Sequence, residues 1–266
     1  LLLEDLEYGG TQRYAIHLLK RIDRELFSPI LWVLRGGNDL LAMARESGIE
    51  VEYFSKSSWV GPESLARLGW RLLKTPPQIL YTLTVVPNIW GRVFGRLARV
   101  PVLVSGYRSL VPKQHERWLW PLSDRIICNA HMLRDVMARS FSVPEGRIAV
   151  VPNGVDTDHF QPDPGPASMG PLVLSIGRLV EEKDPLNLLE GFRLVSERLP
   201  EVRFEIVGNG PLRPELEARI ERYSLEARVS LLPGAADVRQ YMKRASVFVL
   251  ASVQEASPNV VIEAMA

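Results

Sequence analysis

The chain has 266 residues, is 46% hydrophobic and carries a net charge of +1. That is long enough for two domains of ordinary size with real cores, and the near-neutral balance excludes a nucleic-acid binder by charge. The single cysteine, Cys128, excludes an internal disulfide framework and a cysteine metal site and fits a reducing compartment.

In chain order, residues 1–3 read as the remains of a first strand, and Glu7-Tyr8-Gly9-Gly10-Thr11 as a turn. From Gln12 a helical period sets Tyr14, Ile16, Leu18, Leu19 and Ile22 among polar residues. A strand over 30–34, a helix over 38–47 and a strand over 51–54 follow. A basic helix over 64–74 stops at Pro76-Pro77. Next come a strand over 79–85, a helix over 90–99 and a strand over 102–105. Strands over 125–128 and 148–151 flank a helix over 132–139. Cys128 sits in that first strand as a small core residue. Residues 152–170 hold four prolines and three glycines without periodicity, which marks a linker. The expected domains are therefore 1–165 and 166–266.

The second half restarts the rhythm. A strand over 172–176 leads to a helix capped by Asp184 with Pro185 at its first position. A strand over 202–207, the turn Gly208-Asn209-Gly210-Pro211 and a helix over 215–223 come next. A strand over 229–232 and a helix over 238–245 precede the closing stretch. There Val247, Phe248, Val249 and Leu250 read as a strand covered on both faces. Ser257 is the expected N-cap of a last helix and Pro258 its first residue. Alternating strands and helices predict parallel α/β sheets. The chain opens inside an apolar run at Leu1 and closes at Ala266 inside a helix, so it reads as a fragment whose second domain is incomplete.

Charge is unevenly spread. Residues 60–125 hold ten Lys/Arg against three acids, a local excess of +7. Such a region suits an anionic membrane surface or a phosphorylated acceptor, and equally a plain solvated face. Trp118 and Trp120, beside Lys113 and Arg117, read as half-buried core residues or as a membrane-interface pair. No apolar run approaches the roughly 18 residues of a membrane-spanning helix, and there is no signal-peptide pattern. The expected location is cytoplasmic, with peripheral attachment to the inner face of the plasma membrane left open.

Several motifs carry chemistry. Gly9-Gly10 after a strand would let backbone N–H groups approach a phosphate at a helix N-terminus, or is simply a turn. The dinucleotide fingerprint G-x-G-x-x-G and the nucleophile elbow G-x-S-x-G are absent. Gly177-Arg178 leaves a strand, and Lys183 lies just before a capped helix. Two cations beside a glycine suit a diphosphate, though surface cations are often merely solvated. Gly208, Gly210 and Gly234 follow strands and either form turns or line a nucleotide. Glu255 and Glu263, separated by seven residues, are surface acids or acceptors of sugar and ribose hydroxyl bonds. The histidines His17, His115, His131 and His159 show no metal-ligand spacing.

In this order the motifs resemble the retaining glycosyltransferases of family 4 (group 1). The residues are Tyr8-Gly9-Gly10, Val151-Pro152-Asn153-Gly154-Val155-Asp156 with Phe160, Gly177-Arg178-Leu179 with Glu182-Lys183-Asp184, Gly208-Asn209-Gly210-Pro211, and Glu255-Ala256-Ser257-Pro258-Asn259 through Glu263-Ala264-Met265-Ala266. The resemblance implies two Rossmann-like domains facing each other across a cleft, the GT-B architecture. It implies that a hexose moves from a UDP- or GDP-sugar to a hydroxyl of a sugar or lipid-linked acceptor, in polysaccharide or glycolipid synthesis. Arg178 and Lys183 would hold the donor diphosphate, Glu255 the donor sugar and Glu263 the ribose. Gly9 and Gly10 would close over the phosphates. Gly177, Gly208, Gly210, Gly234, Ser257, Pro258 and Asn259 would line the donor. No metal and no other cofactor is expected. Many members carry a histidine after the strand read at 79–85, and the segment TLTVVPNIWGR has none. A non-catalytic donor-binding subunit and a nucleotide-sugar epimerase or phosphorylase of the same architecture are the alternatives.

Overall fold

The structure is a computed structural model. It describes residues 1–108, 113–162, 170–235 and 237–266. The chain divides into two compact units, Leu1–Asn153 and Gly154–Ala266. The expected boundary at 165/166 lies outside the described residues.

The first unit runs β1 (Leu2–Leu3), α1 (Gly10–Arg21), β2 (Ile30–Val33), α2 (Leu41–Glu46), β3 (Glu50–Tyr53), α3 (Pro62–Lys74), β4 (Ile79–Leu83), α4 (Val85–Leu97), β5 (Val102–Tyr107), α5 (Glu116–Leu119), β6 (Arg125–Cys128), α6 (His131–Phe141) and β7 (Ile148–Val150). Its sheet has the order β3-β2-β1-β4-β5-β6-β7, and every pairing is parallel. The central strands β1 and β2 are apolar on both faces, as a sheet covered by helices on each side requires. In β1 and β2, Leu3, Leu31 and Val33 face the core that holds Ile16 and Leu19 of α1. Leu2 and Trp32 face the opposite core with Leu68 and Leu72 of α3. Each such side chain taken fully out of water contributes roughly 1.5–3 kcal/mol. Cys128 is fully buried beside Met137 and Phe141 of α6, and burial pushes its thiol up to about 12.

The second unit runs β8 (Leu172–Ile176), α7 (Pro185–Arg198), β9 (Arg203–Val207), α8 (Arg213–Arg222), β10 (Val229–Leu232), α9 (Arg239–Met242), β11 (Val247–Phe248) and α10 (Asn259–Met265). Its parallel sheet has the order β10-β9-β8-β11. One core stacks Phe192 on Phe204 at 4.3 Å between ring centroids. The other gathers Phe160, Leu174, Ile176, Val207 and Val238.

Four local expectations are corrected. Gly10 and Thr11 belong to α1, because the turn ends at Gly9 in extended backbone. β11 is two residues long and lies at the sheet edge, where Val247 is 52% exposed, so the closing strand is not covered on both faces. Helix α4 begins at Val85, five residues earlier than expected, with Pro87 in its first turn where a missing N–H costs nothing. Trp118 is 72% exposed rather than half-buried. Only Trp120 packs, against the Tyr107 and Ile126 cluster.

Candidate functional site

In an open parallel sheet, ligands bind beyond the carboxyl ends of the strands, where the strand order reverses. In the second unit that point is β8, flanked by β9 on one side and β11 on the other. The loops leaving β8 and β11 carry the charged residues singled out in the sequence. After β8 come Gly177, Arg178 and Leu179, then a single turn over Glu181–Lys183. Asp184 follows in left-handed backbone at φ 46°, a conformation aspartate tolerates better than most residues. Its carboxylate accepts from the Asn187 N–H at 3.4 Å and caps α7. This turn directs Lys183 to the neighbouring loop, where Nζ donates to Glu255 Oε1. The same loops are joined by the Val253 N–H donating to the Glu182 carbonyl at 3.1 Å. Both charged side chains are about three-quarters buried, at 24% and 23% exposure. Ser252, on the same loop, holds a buried Oγ with no hydrogen-bond partner among the described residues; sequence reasoning passed over it.

Arg178 is placed differently. Its side chain is 59% exposed, and Nη2 lies 3.5 Å from Glu182 Oε2 in a loose i,i+4 pair, worth little in water. It borders a shallow depression with Gly177, Ser175, Lys183, Pro185 and Leu250. Arg178 and Lys183 thus share a rim, while only Lys183 is held by a carboxylate of the β11 loop.

The glycines of the β9 loop have a packing reason. A Cβ on Gly208 would lie 1.9 Å from the Gly177 carbonyl oxygen, and one on Gly210 would lie 2.3 Å from that of Leu179. Their absence lets the β9 loop rest directly on the β8 loop. Gly177 N–H donates to Val207 O at 3.0 Å, Leu179 N–H to Asn209 O at 2.9 Å and Leu212 N–H to Leu179 O at 3.1 Å. Asn209 Oδ1 then accepts from the Gly234 N–H at 3.1 Å, which adds the β10 loop. Gly177 itself faces open space, where a Cβ would meet nothing within 4 Å.

Helix α10 begins at Asn259, with Pro258 as the N-cap residue in extended backbone and no side-chain cap bond. Ser257 is therefore not the cap and Pro258 not the first helical residue: the extended proline carries the loop one position further. Glu263 lies one turn into this helix and is 9% exposed. Val260 and Ala266, on either side of it in sequence, pack on the Phe160 and Leu174 core.

In the first unit, Gly9 is the N-cap of α1 and Gly10 its first residue. Gly9 is extended, at φ −166°, a conformation open to any residue. The loop before it is fixed by Arg35, which donates to Asp5 Oδ2 and Glu7 Oε1 at 2.7 Å each and to Glu4 Oε1 at 3.4 Å. Burial pushes the Glu4 carboxyl up, Asp5 adds to this, and Arg35 pulls it back. Sequence reasoning missed this cluster. Its signal was three acids directly behind a buried strand, which need a cation. Among the described residues, no three His, Cys, Asp or Glu side chains gather as a metal site. No helix among them is long and apolar enough to cross a membrane.

Comparison with known proteins follows this division. Residues 8–159 match the model described as Glycosyltransferase Family 4, and residues 156–266 the one described as Glycosyl transferases group 1. Similar proteins include an Escherichia coli UDP-Gal:alpha-D-GlcNAc-diphosphoundecaprenol alpha-1,3-galactosyltransferase, 28% identical over 96% of this chain and 73% of its own. The gpi3 subunit of a Schizosaccharomyces pombe phosphatidylinositol N-acetylglucosaminyltransferase is 33% identical over 53% of this chain. A Campylobacter jejuni N-acetylgalactosaminyltransferase acting on a diphospho-undecaprenol-linked sugar is 27% identical over 67% of it. The chain spans 32% and 51% of the length of the latter two. The crystal structure of Anabaena HepE with UDP and glucose superposes with a TM-score of 0.83 at 19% identity, over 99% of this chain and 77% of HepE. Since the first of the two family matches alone spans more than half the residues, and the fold is that of solved GT-B enzymes, the chain belongs to glycosyltransferase family 4.

Proposed function

We propose that this glycosyltransferase moves a hexose, with retained configuration, from a nucleoside-diphosphate sugar to a hydroxyl of a sugar carried on a phosphate-linked lipid. The observation that carries the reading is the convergence of Lys183 and Glu255 from the loops after β8 and β11, at the switch point of the second sheet. When the bond between the anomeric carbon and the diphosphate breaks, negative charge grows on the leaving group. Fixed cations at that point lower the barrier without reorganisation. In the proposal Lys183 and Arg178 supply this charge, Glu255 faces the sugar and Glu263 the ribose. Gly177, Gly208, Gly210 and Gly234, with Ser257, Pro258 and Asn259, shape the rim. No metal is needed in this scheme. The names of the Escherichia coli and Campylobacter relatives, both acting on diphosphoundecaprenol-linked sugars, support the acceptor class.

The test is donor binding by calorimetry followed by transfer. UDP-sugars are expected to bind, and Arg178→Ala to weaken them about tenfold, the loss of roughly one charge-assisted hydrogen bond. Equal affinity in wild type and variant would overturn the assignment of Arg178. A second reading, a donor-binding partner subunit without transferase activity, draws on the similarity to gpi3 subunits. It predicts binding with no product.

Membrane contact belongs to the same proposal. Helix α3 packs on α4, where a Cβ added at Gly69 would lie 3.9 Å from the Phe94 ring. The two helices expose Trp70 (60%), Leu73 (67%) and Leu97 (69%), and Lys74 Nζ sits 4.7 Å from the Trp70 ring centroid. Exposed aromatic and aliphatic side chains among cations suit an anionic lipid surface. Flotation with phosphatidylglycerol vesicles should recover the protein, and phosphatidylcholine vesicles should not. Lys74→Gln should weaken the former about fivefold, since one cation near such a surface is worth about 1 kcal/mol.

A further inference from the structure

The carboxyl ends of the adjacent strands β4 to β7 carry polar residues that the donor scheme does not use. Thr84 follows β4, Arg108 follows β5, Asn129 follows β6, and Asn153 lies shortly beyond β7. The register makes them neighbours. Leu83 pairs with Gly106, Tyr107 with Cys128 and Cys128 with Val150, and the Asn129 N–H donates to the Tyr107 carbonyl at 3.3 Å.

Arg108 is the unusual member. Its guanidinium carbon lies 3.7 Å from the Tyr14 ring centroid, and Nη2 donates to Asn153 Oδ1. Neither partner carries charge, and among the described residues no carboxylate pairs with it. Two other enclosed arginines of this unit are neutralised: Arg92 by Glu116, and Arg35 by Glu4, Asp5 and Glu7. Burial pulls the Arg108 pKa below the ordinary guanidinium value. A half-buried cation without a counter-charge is costly, and its fork has further N–H donors in a geometry that matches phosphate. Two more polar groups are left over beside it. Asn129 is 4% exposed with Oδ1 lacking a hydrogen-bond partner, and Thr84 buries an unpartnered Oγ1 on a backbone held at φ 72°. A β-branched residue is strained in that region.

We propose that Arg108 receives a phosphate group of the acceptor, with Asn129 Oδ1 accepting a hydrogen bond from a hydroxyl of the acceptor sugar. Tyr14 and Asn153 position the guanidinium. The proposal rests on the reading of a phosphate-linked acceptor, and it separates the acceptor's phosphate from the donor's, which is assigned to Arg178 and Lys183.

The experiment titrates inorganic pyrophosphate into the protein saturated with UDP, by calorimetry. Wild type should bind it, Arg108→Gln at least tenfold more weakly, and Arg178→Ala as wild type does. UDP affinity itself should be unchanged in Arg108→Gln. Arg108→Lys, which keeps the charge and loses the fork, should fall between, so a destabilised glutamine variant does not end the test. Unchanged pyrophosphate affinity in both Arg108 variants overturns the proposal. So does an equal loss of UDP affinity, which would place the donor diphosphate at Arg108. A wild-type protein that binds no UDP would sink the donor reading, and the pyrophosphate comparison would still decide this one.

Discussion

Glu255→Gln is expected to lower the rate of sugar transfer by about two to three orders of magnitude while leaving the fold intact. The magnitude is that of removing one preorganised electrostatic group from a reacting centre. The substitution keeps shape and hydrogen-bonding capacity and removes one charge. In the structure that charge is the partner of Lys183 Nζ. The pair joins loops that are 72 residues apart in sequence and leave neighbouring strands, so it sets where the lysine points before a donor arrives. Lys183→Ala should cost a similar factor. The double variant should cost little more than either single one, because the two residues act as a unit and such effects are far from additive. Stability should fall by about 1–2 kcal/mol at most without loss of the fold, since each member keeps roughly a quarter of its surface in water. Steady-state transfer assays on the three variants, with thermal midpoints measured in parallel, check both statements. Additive losses in rate would mean that Lys183 and Glu255 serve separate steps. Loss of the fold would mean that the pair is structural.

The parts of the fold that were legible in the sequence are those set by local chemistry. Strands Arg125–Cys128, Leu172–Ile176 and Val229–Leu232 fall where their apolar runs lie. Asp184 caps α7 with Pro185 behind it, because an acidic side chain and a ring-locked φ both favour a helix start. β11 was harder to read. Four consecutive apolar residues look the same whether a strand is enclosed or at an edge, and sheet order, which decides between them, is not local. Trp118 follows the same rule: alternation cannot show which of two nearby tryptophans meets a core. Arg178, Lys183 and Glu255 could be picked out singly by residue type, and the pairing of the last two could not. The same holds for Arg92 with Glu116, 24 residues apart, and Arg108 with Asn153, 45 apart. Arg108 was visible only as one of ten positive charges between residues 60 and 125. That no carboxylate among the described residues pairs with it is a property of the fold.

Glu116→Ala is expected to destabilise the first unit by about 3–5 kcal/mol, the usual cost of stranding one member of a buried ion pair. Arg92 is fully buried on α4 and Glu116 nearly so at the start of α5. Nη1 and Nη2 donate to the two carboxylate oxygens at 2.8 and 2.9 Å, a bidentate fork. The Tyr107 hydroxyl also donates to Glu116, and Arg92 Nε donates to the Asn88 carbonyl. Asn88 in turn accepts from Thr82 Oγ1 at 2.7 Å and donates to the Gly106 carbonyl at 3.1 Å. Burial above all holds the Tyr107 hydroxyl well above its ordinary value, so it stays a donor. Removing the Glu116 carboxylate leaves a guanidinium with no counter-charge at zero exposure. Replacing both partners, as in Arg92→Met with Glu116→Leu, removes the stranded charge and should recover most of the loss. All six tryptophans lie in the first unit, so tryptophan fluorescence in a urea titration follows that unit alone. The single variant should shift the midpoint strongly at unchanged slope, and the double variant only slightly. A double variant as unstable as the single would show that the fork contributes through its geometry, by holding α5 on β5, where Tyr107 is followed directly by Arg108. In that case the Arg92 network would also be what orients the proposed phosphate subsite, and pyrophosphate affinity would fall together with stability in both variants.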